Sequence, residues 1–215
     1  ADCVLLLHGL ARSSKPMNEL AEALTADGYY TVNIDYPSTK FPIEILADTY
    51  ISPALATCPA EGRVHFVAHS MGGIMVRYWL ANNDTSRVGR VVMIAPPNQG
   101  SELVDKLGGV PGFALLNGPA GLQLSTAADS VPNTLGPVTV DTGIIAGDAS
   151  FNPLYSWLIP GVDDGKVSIE RTRLDGMSDF IVLHHTHAFI MGAEPVIGQV
   201  LLFLRAGAFQ PALLE

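Results

Sequence analysis

Residues 64–73 read Val64-His65-Phe66-Val67-Ala68-His69-Ser70-Met71-Gly72-Gly73, an apolar run that enters a turn of small residues around a serine. The run predicts a buried strand, and the residues from Met71 to about Asn82 predict a helix. Ala68 stands two positions before Ser70, and Gly72 stands two positions after it. Small residues are needed at both positions, because only small side chains let the strand and the helix approach closely. The pattern predicts a sharp turn that projects the Ser70 hydroxyl from the carboxyl-terminal edge of a sheet.

Ser70 itself allows two interpretations. A strand before the serine and a helix after it are the context of a nucleophilic serine. The amino terminus of the helix directs its N–H groups at the negative charge that develops during the reaction. A serine also commonly caps a helix, and Ser70 directly precedes the predicted helix. The first interpretation requires a base and an orienting acid elsewhere in the chain.

Strands and helices alternate on both sides of this turn. Further strands are predicted at Val4–Leu7, Tyr30–Ile34, Val88–Ala95, Thr142–Ala146 and Ile181–Leu183, and further helices at Pro16–Ala26, Ile43–Ala56 and Glu194–Leu204. Such repeated units predict a three-layer α/β/α sandwich around a mainly parallel sheet of about six strands. Between residues 96 and 137 the pattern fails, which predicts an insertion. Residues 1–215 are expected to form a single domain.

Candidates for the base lie near the end of the sequence, in His184-His185-Thr186-His187. His184 and His185 directly follow a predicted strand, whereas His187 lies on the loop before the last helix. A residue on that loop can reach over the Ser70 turn more easily. His187 is therefore preferred as the general base, with His185 as the alternative.

The acid is expected in the loop Gly161-Val162-Asp163-Asp164-Gly165. Asp164 is preferred because it adjoins the turn glycine, and Asp163 is then expected to face solvent. Asp148, which follows another predicted strand, stays open as an alternative acid, as does Asp163.

The first predicted strand ends in His8-Gly9-Leu10. In a parallel sheet this loop leaves the same edge as Ser70. The backbone N–H of Leu10 is therefore expected to join that of Met71 in an oxyanion hole. The His8 side chain is expected to be structural.

The charge and the apolar content of the sequence limit the kinds of partner that the protein is expected to bind. The formal net charge is −9 at pH 7, so nucleic acid is not expected because its phosphates would be repelled. No stretch reaches the roughly 18 apolar residues of a spanning helix, so no integral membrane contact is expected. Neither a metal-ligand spacing nor a glycine-rich phosphate loop is present, and acyl transfer through a serine needs no cofactor.

The turn Ala68–Gly73 resembles that of small bacterial serine esterases and lipases of the α/β-hydrolase superfamily. The strand ending in His8-Gly9, the loop of Asp164 and the late His187 are similar to theirs as well. The resemblance implies an α/β-hydrolase fold and cleavage of a small-molecule or lipid carboxylic ester through an acyl-enzyme. The alternatives are an acyltransferase or thioesterase with the same residues, or a non-catalytic binding protein of this fold. The oligomeric state has no signature in the sequence.

The resemblance also bears on the insertion and on the two cysteines. Residues 96–137 are expected to form a lid or a wall of the acyl pocket, and the alternative is a surface excursion with a small core of its own. The apolar wall is assigned to Leu103, Val104, Leu107, Val110, Phe113, Leu115 and Leu116. Cys3 and Cys58 belong to or precede neighbouring strands of this fold, so a disulfide is geometrically possible. A bonded pair would favour a secreted or periplasmic protein, and free thiols a cytoplasmic one.

Overall fold

Six strands form one fully parallel sheet in the computed structural model, which describes residues 1–210. They are β1 (Cys3–Leu7), β2 (Tyr30–Ile34), β3 (Val64–His69), β4 (Val88–Ile94), β5 (Asp141–Gly147) and β6 (Asp179–Leu183). Their order across the sheet is β2-β1-β3-β4-β5-β6, so β3 lies in the middle between β1 and β4. The predicted parallel sheet is confirmed.

Helices flank this sheet and lie in the segments that connect its strands. They are α1 (Asn18–Ala26), α2 (Ile43–Leu55), α3 (Met71–Asn82), α4 (Glu102–Leu107), α5 (Phe113–Leu122), α6 (Val131–Thr134), α7 (Pro153–Leu158), α8 (Ile169–Thr172) and α9 (Glu194–Ala206). Short 3₁₀ turns at Lys15–Met17 and Ile190–Gly192 precede α1 and α9. The start of the first predicted helix is therefore 3₁₀ and not α-helical.

Two hydrophobic clusters cover the two faces of the sheet. Leu5 and Phe66 pack on one face with residues of α2 and α3, whereas Leu6 and Val67 pack on the other with residues of α1 and α9. Successive residues along a strand point to opposite faces of the sheet, and here helices cover both faces. This double burial is why the strands are continuous apolar runs in the sequence.

The insertion between β4 and β5 contains α4, α5 and α6. The buried guanidinium of Arg77 binds both ends of the insertion. Its Nη1 donates to the carbonyl of Asn98 (2.9 Å), and its Nη2 donates to the carbonyl of Gly136 (2.9 Å). Burial lowers the pKa of Arg77 to about 10, so the side chain stays charged at neutral pH. The insertion is thus fixed to α3, the helix that follows Ser70.

A disulfide joins Cys3 and Cys58, whose Cα atoms are 5.8 Å apart. It links the start of β1 to the segment before β3, so of the two alternatives left open by the sequence the structure has the bonded pair. The bond is consistent with an oxidising compartment. None of the helices between residues 1 and 210 has the length and apolarity that crossing a membrane requires.

Candidate active site

The turn between β3 and α3 holds Ser70 in an unusual backbone conformation, with φ of 53° and ψ of −126°. Few residues other than glycine adopt a positive φ, and such strain is typical of functional turns. The Ser70 amide donates to the carbonyl of Ile94 in β4 (2.8 Å), but its side chain makes no capping bond to α3. The hydroxyl is therefore available for other partners.

Small residues let the loop after β1 approach this turn. A Cβ atom on Gly72 would lie 2.7 Å from the carbonyl oxygen of His8 and 2.9 Å from that of Leu7. A Cβ atom on Gly9 would lie 2.9 Å from Nδ1 of His69 and 3.1 Å from Cβ of Ser70. Larger residues would separate the two turns, so the glycines bring the backbone around Leu10 close to Ser70.

His187 lies on the loop between β6 and α9 and contacts both other predicted residues. Its Nε2 is 2.9 Å from Oγ of Ser70, and its Nδ1 is 2.7 Å from Oδ2 of Asp164. All three side chains are buried, with Asp164 only 2% exposed. The structure therefore brings together the serine, the histidine and the aspartate in one hydrogen-bonded chain.

The loop around Asp164 orients its carboxylate with backbone amides. Oδ1 accepts hydrogen bonds from the N–H groups of Lys166 (2.9 Å) and Val167 (2.8 Å), which leaves Oδ2 for the histidine. The His187 amide in turn donates to the Asp164 carbonyl (2.9 Å). Charge-assisted bonds of this kind hold a side chain in one orientation, so the pair is fixed through both backbone and side chain.

The alternative residues lie elsewhere. His184 is exposed, and its Nδ1 is 2.8 Å from Oδ1 of Asp148. These two therefore form a separate pair at the surface. His185 is half-buried, and its carbonyl accepts from the Ala149 amide (3.4 Å). Neither histidine is paired with Ser70.

The expectation that Asp163 faces solvent is wrong. It is 6% exposed, and its Oδ1 accepts from the Gly165 amide (2.7 Å) and from the Ser156 hydroxyl (3.0 Å). An aspartate commonly bonds to the backbone two residues on in a tight turn. Asp163 thus shapes the loop that presents Asp164.

Sequence reasoning missed one residue of this cluster, His69. Its Nε2 donates to the carbonyl of His187 (3.0 Å), and its ring is almost completely buried. Burial and then the nearby His187 hold the pKa of His69 well below its ordinary value, so the ring is neutral. Its position directly before the serine, at the end of a buried strand, was the available signal.

The predicted oxyanion amides belong to Leu10 and Met71. Met71 is the first residue of α3, and Leu10 lies in the turn after β1 and borders the same cavity as Ser70. Within residues 1–210, neither amide donates to another protein group. Both N–H groups are thus free for an acceptor.

His8 supports the turn that carries Leu10. Its ring stacks on Tyr36 at 3.9 Å, and the Tyr36 hydroxyl donates to the His8 carbonyl. Burial lowers the pKa of His8, so the ring is neutral at neutral pH. These contacts agree with a structural role.

A cavity of about 190 Å³ opens beside Ser70 and His187. The insertion forms much of its wall through Leu103, Val104, Leu107, Phe113 and Leu116. Val110 and Leu115 were also expected there, but both are exposed at the surface, Leu115 to 87%. Neither borders the cavity: Val110 lies between α4 and α5, and Leu115 lies within α5. Tyr155 of α7, a helix not predicted, joins the wall instead.

A model of the alpha/beta hydrolase family matches residues 4–195. The mature lipase BlEst2 of Bacillus licheniformis has a similar structure, with 20% identity, a TM-score of 0.72 and coverage of 95% of this chain and 91% of that one. The metagenomic carboxyl esterase MGS0156 has 18% identity and a TM-score of 0.66 over 88% of this chain and 65% of that one. At such identities the likeness shows the fold.

A third similar structure comes from work on the metagenome-derived lipolytic enzymes LipS and LipT. It has 18% identity and a TM-score of 0.62, over 95% of this chain and 93% of that one. No curated protein matches the chain by sequence. Among residues 1–210, no three His, Cys, Asp or Glu side chains are grouped as a metal ion would require.

Proposed function

Because the chain belongs to the alpha/beta hydrolase family, we propose that it is a carboxylic ester hydrolase with Ser70 as nucleophile, His187 as general base and Asp164 as orienting acid. The observation that carries this proposal is the hydrogen-bonded chain from Oγ of Ser70 through His187 to Asp164. A serine becomes a nucleophile when an adjacent base, itself held by a third group, can take its proton.

In the first half of the reaction, Nε2 of His187 removes the Ser70 proton while Oγ attacks the ester carbonyl. The carbonyl oxygen becomes negative, and the amides of Leu10 and Met71 donate to it. The protonated histidine then gives its proton to the leaving alcohol. The products of this half are the alcohol and an acyl-Ser70 ester.

In the second half, a water molecule loses a proton to His187 and attacks the acyl carbonyl. Collapse of the intermediate returns the proton to Oγ of Ser70 and releases the carboxylic acid. Asp164 stabilises the imidazolium in both halves, because its buried carboxylate lies 2.7 Å from Nδ1. The cycle needs only water as co-reactant.

The substrate is a small-molecule or lipid ester with an apolar chain. The apolar wall from α4 and α5 next to Ser70 supports this, because burying a chain there gains free energy with each methylene. The names of the similar structures, a lipase and a carboxyl esterase, point in the same direction.

Hydrolysis of 4-nitrophenyl esters from C2 to C16 tests the proposal. We expect hydrolysis by the wild type that Ser70→Ala abolishes, because the acyl-enzyme forms on the Ser70 hydroxyl. Ser86→Ala, at the opposite edge of the sheet, is the matched control. Equal activity of Ser70→Ala and the wild type would contradict the proposal.

We further propose that the protein works outside the reducing cytoplasm. The Cys3–Cys58 disulfide supports this, since such bonds persist in oxidising compartments. Thiol titration of the denatured, unreduced protein should find no free thiol, and two free thiols would reject the bond.

A further inference from the structure

The charges around the cavity differ in sign from those of the chain as a whole. The chain has a formal net charge of −9, yet the charged side chains that line the cavity beside Ser70 are Arg12 and Lys166. No Asp or Glu among the described residues lines it with them. The cavity therefore joins an apolar wall to two cationic groups.

Both cations come from the loops that build the site. Arg12 follows Leu10 by two residues, and Lys166 follows Asp164 by two residues. Both side chains line one cavity together with Ser70 and His69, the residue that directly precedes the nucleophile. They therefore lie near the reacting atoms and near one another.

Neither cation is neutralised within residues 1–210. Arg12 and Lys166 form no ion pair with a described carboxylate, although Glu19 borders a neighbouring depression together with Arg12. The nearby Asp164 is occupied by His187 and by two backbone amides.

The positive charges of Arg12 and Lys166 repel each other, and an anion bound between them would replace this repulsion with attraction. The backbone of Lys166 is engaged, since its N–H donates to Asp164 and its carbonyl accepts from the Ser101 hydroxyl (2.8 Å). Its side chain is exposed and makes no hydrogen bond to another described residue. The amino group can thus turn towards a ligand without disturbing the loop.

We propose that the ester substrate is amphiphilic: an apolar chain on one side of the ester contacts the insertion, and an anionic group on the other side binds Arg12 and Lys166. The anionic group is a carboxylate, sulfonate or phosphate close to the ester. This inference rests on the proposed ester hydrolysis and names its substrate class. It predicts selection by charge in addition to chain length.

Two matched pairs of esters test the inference. The first is 3-hexanoyloxypropanoate and its primary amide; the second is monohexyl succinate and its primary amide, in which the ester is reversed. We expect the ratio of kcat/KM for the anion to that for the amide to fall about tenfold in Arg12→Gln and in Lys166→Gln, in at least one pair, because each variant removes one charged contact. Lys166→Arg should retain the ratio.

Controls separate this inference from the proposed function. Lys106→Gln removes the same charge from α4 outside the cavity and should keep the wild-type ratio. High salt should raise KM for the anion more than for the amide, since partly exposed charges are screened. Ratios that stay the same in both Gln variants, with Ser70-dependent hydrolysis intact, would overturn the inference alone. Absence of any Ser70-dependent hydrolysis would overturn the proposed function instead.

Discussion

Two regions meet at the cavity, and they are built differently. The polar cluster of Ser70, His187 and Asp164 is buried, and each member has hydrogen bonds that fix its orientation. The insertion contributes mainly apolar side chains, and parts of α5 are exposed, with Leu116 72% exposed. A fixed cluster suits a reaction that needs one geometry, whereas an apolar wall can change without disturbing it. Changes in the first region should abolish turnover, and changes in the second should alter selectivity.

The largest effect is expected from Asp164→Asn. An amide at this position cannot stabilise the imidazolium and favours the wrong tautomer of His187, so kcat should fall about 10³- to 10⁴-fold. Steady-state kinetics on a short ester measures this. Asp148→Asn is the matched control, because among residues 1–210 the Asp148 carboxylate pairs with the exposed His184 alone and should not affect kcat. Equal losses in the two variants would mean that the fixed cluster is not the reaction centre.

Gly72→Ala should break the close approach on which the cluster depends. The new Cβ would meet the backbone oxygens of His8 and Leu7, which cannot move aside as a side chain can. We expect the free energy of unfolding to fall by about 1–3 kcal/mol, together with a loss of activity. Urea denaturation gives the first value. Gly198→Ala lies inside α9, where no atom of residues 1–210, apart from the adjacent residues and the backbone of the helix itself, would come within 4 Å of the new Cβ, and should instead stabilise by up to about 1 kcal/mol.

Acid should act on buried histidines outside the insertion, since the insertion contains no histidine. Burial lowers the pKa values of His8, His65 and His69, so the unfolded chain binds more protons than the native one below about pH 6.5. Stability should be fully present above that pH and fall below it, by up to about 1.4 kcal/mol per pH unit for each histidine.

Unfolding in urea at several pH values between 7.5 and 5 measures this slope. His69→Gln keeps a hydrogen-bond donor but removes one titrating group, so its slope should be smaller than that of the wild type. The same slope in both proteins would show that His69 is not held neutral in the native state.

The fixed cluster and the insertion also differ in how much of each could be predicted from the sequence. The Ser70 turn was predictable because its conformation requires small residues at fixed positions. The choice between Asp163 and Asp164 was harder, since both carboxylates are buried in one turn and differ only in direction. The shape of the insertion depends on distant contacts, such as those of Arg77, that have no local periodicity.

The smallest effect is expected in the wall. Leu116 borders the cavity, whereas the adjacent Leu115 does not. Leu116→Ala should lower the ratio of kcat/KM for a C8 ester to that for a C2 ester severalfold, because about 1 kcal/mol of apolar contact is lost. Leu115→Ala should leave the ratio unchanged. A fall of kcat on the C2 ester in Leu116→Ala would show that the wall also controls the chemical step.

The most direct test of the account is covalent labelling by a fluorophosphonate, which reacts with an activated serine. Intact-mass analysis of the wild type should show one adduct, and peptide mapping should assign it to Ser70, with hydrolysis lost in proportion. Ser70→Ala should not be labelled, and His187→Ala should be labelled much more slowly. An adduct on another residue with loss of activity, or full activity of a protein labelled at Ser70, would contradict the assignment of Ser70 as the nucleophile.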